Sequence, residues 1–219
     1  MAQTPPPNLE AIMEYIAIID YGAGNLRSVA NALCRLGYVP RVTSQPAEVL
    51  EAAAVILPGV GAAGEAYQSL EKLGLAKALR QLIEEGRPLF AVCVGMQVLL
   101  SATEEGGWHP CLGVVPGVAR RLPSHLKVPH MGWNQVKQKI RHPLFEGIPD
   151  EANFYFVHSY YPDLEGSVVA GTTQYGLRFC SVLVRGNLVA TQFHPEKSGE
   201  LGLRMYANFL KFAGGFEPC

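Results

Sequence analysis

A cysteine, a histidine and a glutamate are placed in this sequence where they could form a thiol-based acyl-transfer centre. Cys93 lies in Ala91-Val92-Cys93-Val94-Gly95-Met96-Gln97, directly after the apolar run Leu89–Val92 and at the start of a helical pattern. Such a strand-to-helix junction is a nucleophile elbow, whose sharp turn lifts the side chain above the sheet edge and needs small neighbours. Ala91 and Gly95 meet that need, although Ala91 is one methyl larger than the glycine such elbows usually carry. The positive end of the following helix favours the thiolate. A buried structural cysteine is the competing reading for any cysteine in an apolar strand, because free cysteine is commonly buried. The small flanking residues and the junction itself favour chemistry.

A thiolate that forms an acyl-enzyme needs a proton shuttle. Of the six histidines, His194 stands in Thr191-Gln-Phe-His-Pro-Glu-Lys197. Pro195 biases His194 toward an extended backbone, and residues two apart on an extended segment point the same way. Glu196 can then hold the His194 imidazole in one tautomer, which is the nucleophile, base and orienter logic of a catalytic triad. Taken alone, His-x-Glu could equally be a chance pairing on a loop. His158, in Phe156-Val-His-Ser-Tyr160, is the rival base, while His109, His125, His130 and His142 read as ordinary surface residues. Gly59, Val60 and Gly61 follow a second apolar strand, and glycines let backbone N–H groups approach a ligand closely. With the N–H of Val94 this turn can hold a tetrahedral oxyanion, each such donor being worth about 2.7–4 kcal/mol. Without the elbow, the same stretch would read as a plain strand-to-helix turn.

The elements needed to position these groups are legible. Tyr15–Asp20 is a buried strand that breaks into a glycine turn, and Asn25–Leu36 has helical apolar spacing closed by Gly37. The unit repeats with a strand at Ala53–Leu57, a helix from about Ala66 to Glu85 capped by Gly86, a strand at Leu89–Val92 and a helix at Gly95–Leu100. Short apolar strands alternating with amphipathic helices predict an α/β fold, with a mostly parallel sheet covered on both faces. After about Gly106 the segments become shorter and β-rich: Gly113–Arg120, Trp133–Lys137, Phe154–His158, Val168–Thr172, Cys180–Val184 and Leu188–Gln192. Arg185-Gly-Asn187 reads as a hairpin turn, and Glu200–Phe212 closes the chain as a helix. One continuous domain over residues 15–219 is expected, with residues 1–14 as a disordered extension.

Bulk properties narrow the field. With 219 residues, 48% hydrophobic and 17% charged, the chain is long and apolar enough for a substantial core. A net charge of -1 without Lys/Arg runs gives no reason to expect a nucleic-acid partner. Five cysteines without Cys-x-x-Cys spacing argue against a disulfide framework or a zinc site and for a reducing, cytoplasmic setting. The polar, Pro-rich start does not read as a signal peptide, and the apolar runs are too short to cross a membrane. Tyr21-Gly-Ala-Gly-Asn25 is half of a dinucleotide fingerprint, but Arg27 replaces the third glycine and no clear acidic partner follows.

Together, Pro58-Gly-Val-Gly61, Cys93-Val-Gly-Met-Gln97 and His194-Pro-Glu196 resemble the class I, triad-type glutamine amidotransferases in order and spacing. Within that family the chain is most similar to glutaminase subunits of imidazole glycerol phosphate synthase. Ile18-Ile-Asp-Tyr-Gly-Ala-Gly-Asn25, Pro129-His-Met-Gly-Trp-Asn134, Tyr155-Phe-Val-His-Ser-Tyr160 and Gln192-Phe-His-Pro-Glu-Lys-Ser-Gly199 carry the likeness, which runs from about Tyr15 to Phe212. The resemblance implies a flavodoxin-like domain and a Cys93-His194-Glu196 triad that releases ammonia from glutamine, with no cofactor and no metal. It implies that glutamine lies against Gly59, Gly61 and Gln97, with backbone help around Ser159 and Tyr160. It further implies that ammonia passes to a separate (β/α)₈ synthase (cyclase) subunit, which makes imidazole glycerol phosphate and aminoimidazole carboxamide ribonucleotide in histidine biosynthesis. Asn25 and Lys197 would lie toward that subunit and take part in coupling. The lone chain is expected to be nearly inactive, because β-branched Val60 sits between two glycines where one peptide flip would turn an N–H away from the oxyanion. Other readings are a glutaminase of another system, such as the pyridoxal phosphate synthase subunit, a free-standing cysteine hydrolase, or an inactive partner-binding scaffold. Cys34, Cys111, Cys180 and Cys219 have no assigned role.

Overall fold

The computed structural model describes residues 15–214; the expected N-terminal extension and Cys219 lie outside them. The chain begins with β1 (Ile16–Ile19), α1 (Leu26–Arg35), β2 (Pro40–Thr43), α2 (Pro46–Glu51), β3 (Ala54–Leu57), α3 (Ala63–Lys72), α4 (Leu75–Glu84), β4 (Leu89–Val92) and α5 (Val94–Val98). β5 (Ala102–Thr103), β6 (His109–Pro110), β7 (Val118–Arg121), β8 (His130–Gln138), β9 (Ala152–His158) and β10 (Tyr160–Asp163) follow. β11 (Val169–Tyr175), β12 (Leu177–Arg185), β13 (Leu188–Thr191) and α6 (Gly199–Gly214) complete it.

Nine strands form one sheet in the order β2-β1-β3-β4-β13-β12-β11-β8-β9. The first five run parallel and the rest pair antiparallel. The sheet is therefore mixed, and its antiparallel half extends the parallel one instead of forming a separate layer. β1, β3, β4 and β13 are buried at every residue, as strands covered on both faces must be. The chain steps from β1 outward to β2 and then back past β1 to β3. Right-handed crossovers in opposite directions put α1 on one face and α2 to α5 on the other. The helix contacts agree: α1 packs on α6, while α2, α3, α4 and α5 contact one another in series. Phe90 of β4 anchors α6 through rings centred 5.0 Å from Tyr206 and 5.2 Å from Phe209. A smaller sheet, β10-β7-β5-β6, is hydrogen-bonded separately and packs on the large one where Tyr161 of β10 meets Phe179 of β12.

Two expectations need correction. The long helix from Ala66 to Glu85 is two helices, broken where Gly74 takes φ 72. Both helices bury one apolar face, so periodicity alone did not reveal the break. β2 and α2 went unread because Pro40-Arg-Val-Thr43 is a half-exposed edge strand without an apolar run. The β12–β13 hairpin turns as expected at Gly186-Asn187, with Gly186 at φ 58 and Arg185 paired to Leu188. The order in which the chain adds strands reverses between β1 and β3, and ligands in such sheets bind beyond the carboxyl ends near that point. The loops after β1, β3, β4 and β13 all emerge there.

Candidate active site

Cys93 occupies the single residue between β4 and α5 with φ 54 and ψ -107, a left-handed conformation unusual for a residue with a side chain. Backbone bonds hold it there. Its N–H donates to Thr191 O at 2.7 Å, and its carbonyl accepts from Met96 N at 3.0 Å to start the helix. The elbow interlocks with the turn after β3. A Cβ on Gly95 would stand 2.3 Å from Leu57 O, and one on Gly59 would stand 2.3 Å from Gly95 N. Both positions therefore admit only glycine without moving backbone. Ala91 fits its extra methyl in the sheet interior, fully buried.

His194 and Glu196 do meet, but not on an extended strand as expected. Pro195–Lys197 forms a 3₁₀ turn, with His194 as its extended cap residue at φ -102 and ψ 98. This turn brings His194 Nδ1 within 2.7 Å of Glu196 Oε1. The His194 N–H donates to Tyr155 O at 3.0 Å, and Ser198 Oγ ties the same segment to β9 by donating to His194 O and accepting from Tyr155 N. Burial pulls the His194 pKa down, but hydrogen bonds to Cys93 and Glu196, and their charges, outweigh it and hold the imidazole well above its ordinary range. These contacts favour the charged form of the ring. Glu196 Oε1 also accepts from Asn25 Nδ2 at 3.1 Å, and its Oε2 lies 3.5 Å from the Tyr206 hydroxyl. Asn25 caps no backbone of α1 with its side chain; that side chain donates to Glu196 instead.

A cavity of about 290 Å³ opens over Cys93. Val60, Gly61, Val94, Gln97, Ser159, Tyr160, His194 and Lys197 line it, while Gly59 lies buried behind the wall. The Ser159 carbonyl is taken by Leu122 N at 2.9 Å, and the Tyr160 carbonyl by Gln97 Nε2 at 2.9 Å. The buried Tyr21 hydroxyl lacks a partner of full hydrogen-bond geometry. Burial raises its pKa, and the adjacent Val60 backbone pulls it partly back. Lys197 is exposed, with Nζ 6.0 Å from the Tyr155 ring centre.

His158 lines the cavity but cannot serve as a free base, because both ring nitrogens are occupied. Nδ1 lies 2.8 Å from Tyr160 O, and Nε2 lies 2.9 Å from His130 Nδ1. His130 is no surface residue: it is 3% exposed, stacked between Phe156 at 4.9 Å and Tyr175 at 3.9 Å. Burial pushes the His130 pKa to about 4, and burial with two neighbouring histidines pushes that of His158 to about 3. His142 caps a short turn by accepting from Leu144 N at 3.1 Å. Three residues at the site were not foreseen. Glu105 reaches the cavity wall from the loop after β5, its pKa raised by burial. Tyr206 comes from α6. Gln192 lies two residues before His194, a spacing that could have placed both on one strand face.

Among the described residues no group of three or more His, Cys, Asp or Glu side chains could hold a metal ion, and no helix is long and apolar enough to cross a membrane. Comparison with characterised proteins agrees with this geometry. The family model described as "Glutamine amidotransferase class-I" matches residues 17–212. An imidazole glycerol phosphate synthase subunit HisH from Dehalococcoides mccartyi strain CBDB1 is 55% identical over 201 residues, covering 91% of this chain and 98% of that one. The HisH subunit of Chloroflexus aurantiacus is 49% identical, covering 93% and 98%. A crystal structure of a glutamine amidotransferase shares the fold at TM-score 0.70 and 22% identity, covering 91% and 98%. PurLQS from Thermotoga maritima shares it at TM-score 0.73 and 16% identity, covering 91% and 98%. With an elbow cysteine, a paired histidine and glutamate and a family match across nearly the whole described fold, this chain belongs to the class I glutamine amidotransferases.

Proposed function

We propose that the chain is the glutaminase subunit of an imidazole glycerol phosphate synthase, with Cys93, His194 and Glu196 as its triad. The observation that carries this reading is that Cys93 and His194 face one cavity, with Glu196 behind the imidazole at 2.7 Å, in a chain 55% identical to a HisH subunit. Glutamine enters beside Cys93, and Glu105 offers a carboxylate for its α-ammonium group. The Cys93 thiolate attacks the side-chain amide carbon. N–H groups of Val94 and of the Val60–Gly61 turn receive the developing oxyanion. His194, charged at the outset, gives its proton to the departing ammonia while Glu196 holds the ring. Water then attacks the thioester with His194 as base, and glutamate leaves.

Ammonia so released needs an acceptor, which we assign to a (β/α)₈ synthase subunit docked over the cavity mouth. Met131 and Trp133 on β8 are 62% and 58% exposed, an unusual pair of large apolar side chains on one strand face. Trp133 meets Tyr155 at 6.1 Å, and Tyr155 lies beneath Lys197, so the pair and the cavity rim form one surface. We assign Asn25, a donor to Glu196, and Lys197, on the cavity rim, to coupling between docking and the triad. Four free cysteines among the described residues fit a reducing cytoplasm. The test is glutamate release by wild type and Cys93→Ala, with and without the synthase subunit and its ribonucleotide ligand. Cys93-dependent turnover that rises steeply with the partner supports the reading. Turnover absent under every condition would leave a scaffold or a different partner.

A further inference from the structure

β13 pairs with β4 in parallel register, with Thr191 level with Val92. The next residues, Gln192 and Cys93, therefore leave the sheet side by side. Gln192 is fully buried, and its Nε2 lies 3.5 Å from Cys93 Sγ. Its Oε1 accepts from Gln97 Nε2 at 2.9 Å, and the same Gln97 nitrogen donates to Tyr160 O at 2.9 Å.

The direction of this chain is fixed by chemistry. A backbone carbonyl only accepts, so Gln97 must turn its NH₂ toward Tyr160 O. That NH₂ also faces Gln192, which must answer with its oxygen. The NH₂ of Gln192 is left to face the sulfur. Reversing Gln192 would set two NH₂ groups against each other and an oxygen against the thiolate. Tyr160 O is held in turn by the Nδ1–H of His158, 2.8 Å away.

We propose that Gln192 is a catalytic residue beside the triad: its side-chain amide donates a hydrogen bond to the Cys93 sulfur, and Gln97 is the positioning residue that sets that bond's direction. The bond strengthens when sulfur is anionic, so it favours the thiolate before attack. It acts again on the way out. In acylation the S–C bond forms and the C–N bond breaks, with His194 supplying the proton that leaves in ammonia. In hydrolysis water adds its oxygen to the thioester carbon and gives a proton to His194, while the carboxyl proton passes to solvent. The C–S bond then breaks and returns its electron pair to sulfur, where the Gln192 amide receives it. Both protons of the Gln97 amide are committed, so Gln97 can meet substrate only as an acceptor, through Oε1. The proposal rests on the glutaminase reading only for the identity of the substrate.

The test reads Cys93 directly. The full chain without partner is treated with iodoacetamide across a pH series, and alkylation of the Cys93 peptide is followed by mass spectrometry. Gln192→Met keeps the volume and removes the donor; Gln192→Glu keeps the shape and presents an anionic oxygen. With the donor lost, Cys93 of Gln192→Met should alkylate about tenfold more slowly at pH 6, with the whole profile moved about one unit higher. Gln192→Glu should move it further. Gln97→Glu leaves Gln192 intact but invites its NH₂ to turn away from sulfur, and should shift the profile in the same direction. This third variant decides the matter if substitution at position 192 prevents folding. With the synthase subunit present, Gln192→Met should lose kcat while the KM for glutamine stays within about twofold. Wild-type alkylation profiles in the folded variants would overturn the proposal. Lack of glutaminase activity in wild type with its partner would instead overturn the functional reading and leave the alkylation result standing.

Discussion

The paired histidines behind the cavity should make the fold acid-sensitive in a window set by their own pKa values. His130 is held at about 4 and His158 at about 3, against 6.5 for a free imidazole. Their folded pKa values are depressed, so the unfolded chain binds more protons as pH falls below about 6.5. Their contribution to stability is complete above that value and is lost as pH falls toward the folded pKa values. Two-state linkage between pH 7 and pH 5 gives a loss of about 2 kcal/mol for each ring. The pair then totals about 4 kcal/mol, a ceiling because the first proton opposes the second across the 2.9 Å contact. This is a large share of a typical domain's stability of about 5–15 kcal/mol. His194 works with the opposite sign: its raised pKa adds a little stability over the same fall in pH. The comparison that isolates the pair is wild type against His130→Phe/His158→Leu. That double change replaces both partners by apolar groups, which leaves neither orphaned. Asn134 Nδ2 keeps Gln174 O at 3.1 Å, and Tyr160 O keeps Gln97. Urea unfolding at pH 7 and pH 5, followed by circular dichroism, should show wild type losing about 2–4 kcal/mol more than the double variant. Equal losses in the two proteins would mean that the buried rings are not held neutral by the fold, and the reasoning would fail.

Gly59→Ala would drive a methyl to within 2.3 Å of Gly95 N, so backbone at the elbow must shift; glutaminase activity should drop by about a hundredfold or more if the donors move by an ångström, and activity within twofold of wild type would refute the interlock. Asn25→Ala removes one donor from Glu196, and kcat should fall about tenfold with KM unchanged. A fall of equal size with and without the synthase subunit marks Asn25 as a positioning residue, and a fall confined to the complex marks it as a coupling residue. Trp133→Ala should weaken synthase binding about tenfold or more by calorimetry while leaving Cys93 alkylation in the lone chain unchanged; undiminished affinity would remove β8 from the interface.

What the sequence disclosed and what it hid follow from the range of the interactions involved. β4 was legible to the residue because Leu89–Val92 is a continuous apolar run between turn residues, as a strand buried on both faces requires. Cys93, His194 and Glu196 were legible because each stands in a local pattern whose backbone geometry is set within a few residues. His130 differs from its surface reading because strand alternation decides its burial, and it is the first residue of β8, after Val128-Pro129, where no alternating pattern precedes it to count. Gln192 was invisible as a functional group for a deeper reason. Its contact with Cys93 joins residues separated by 99 positions and exists only because β13 lies beside β4 in one register. A slip of a single residue would turn Gln192 to the other face of the sheet. The same register carries the Thr191 carbonyl to the Cys93 N–H at 2.7 Å, the bond that helps hold the nucleophile in its left-handed conformation. One strand pairing thus sets the backbone of Cys93, the Gln192 amide beside its sulfur and, two residues on, His194, the three groups to which the proposed mechanism assigns attack, donation and proton transfer. On the proposed mechanism, the antiparallel hairpin that returns β13 to the centre of the sheet is therefore what assembles the thiol site on a flavodoxin-like fold, and it would be the element to disturb if fold and activity were to be separated.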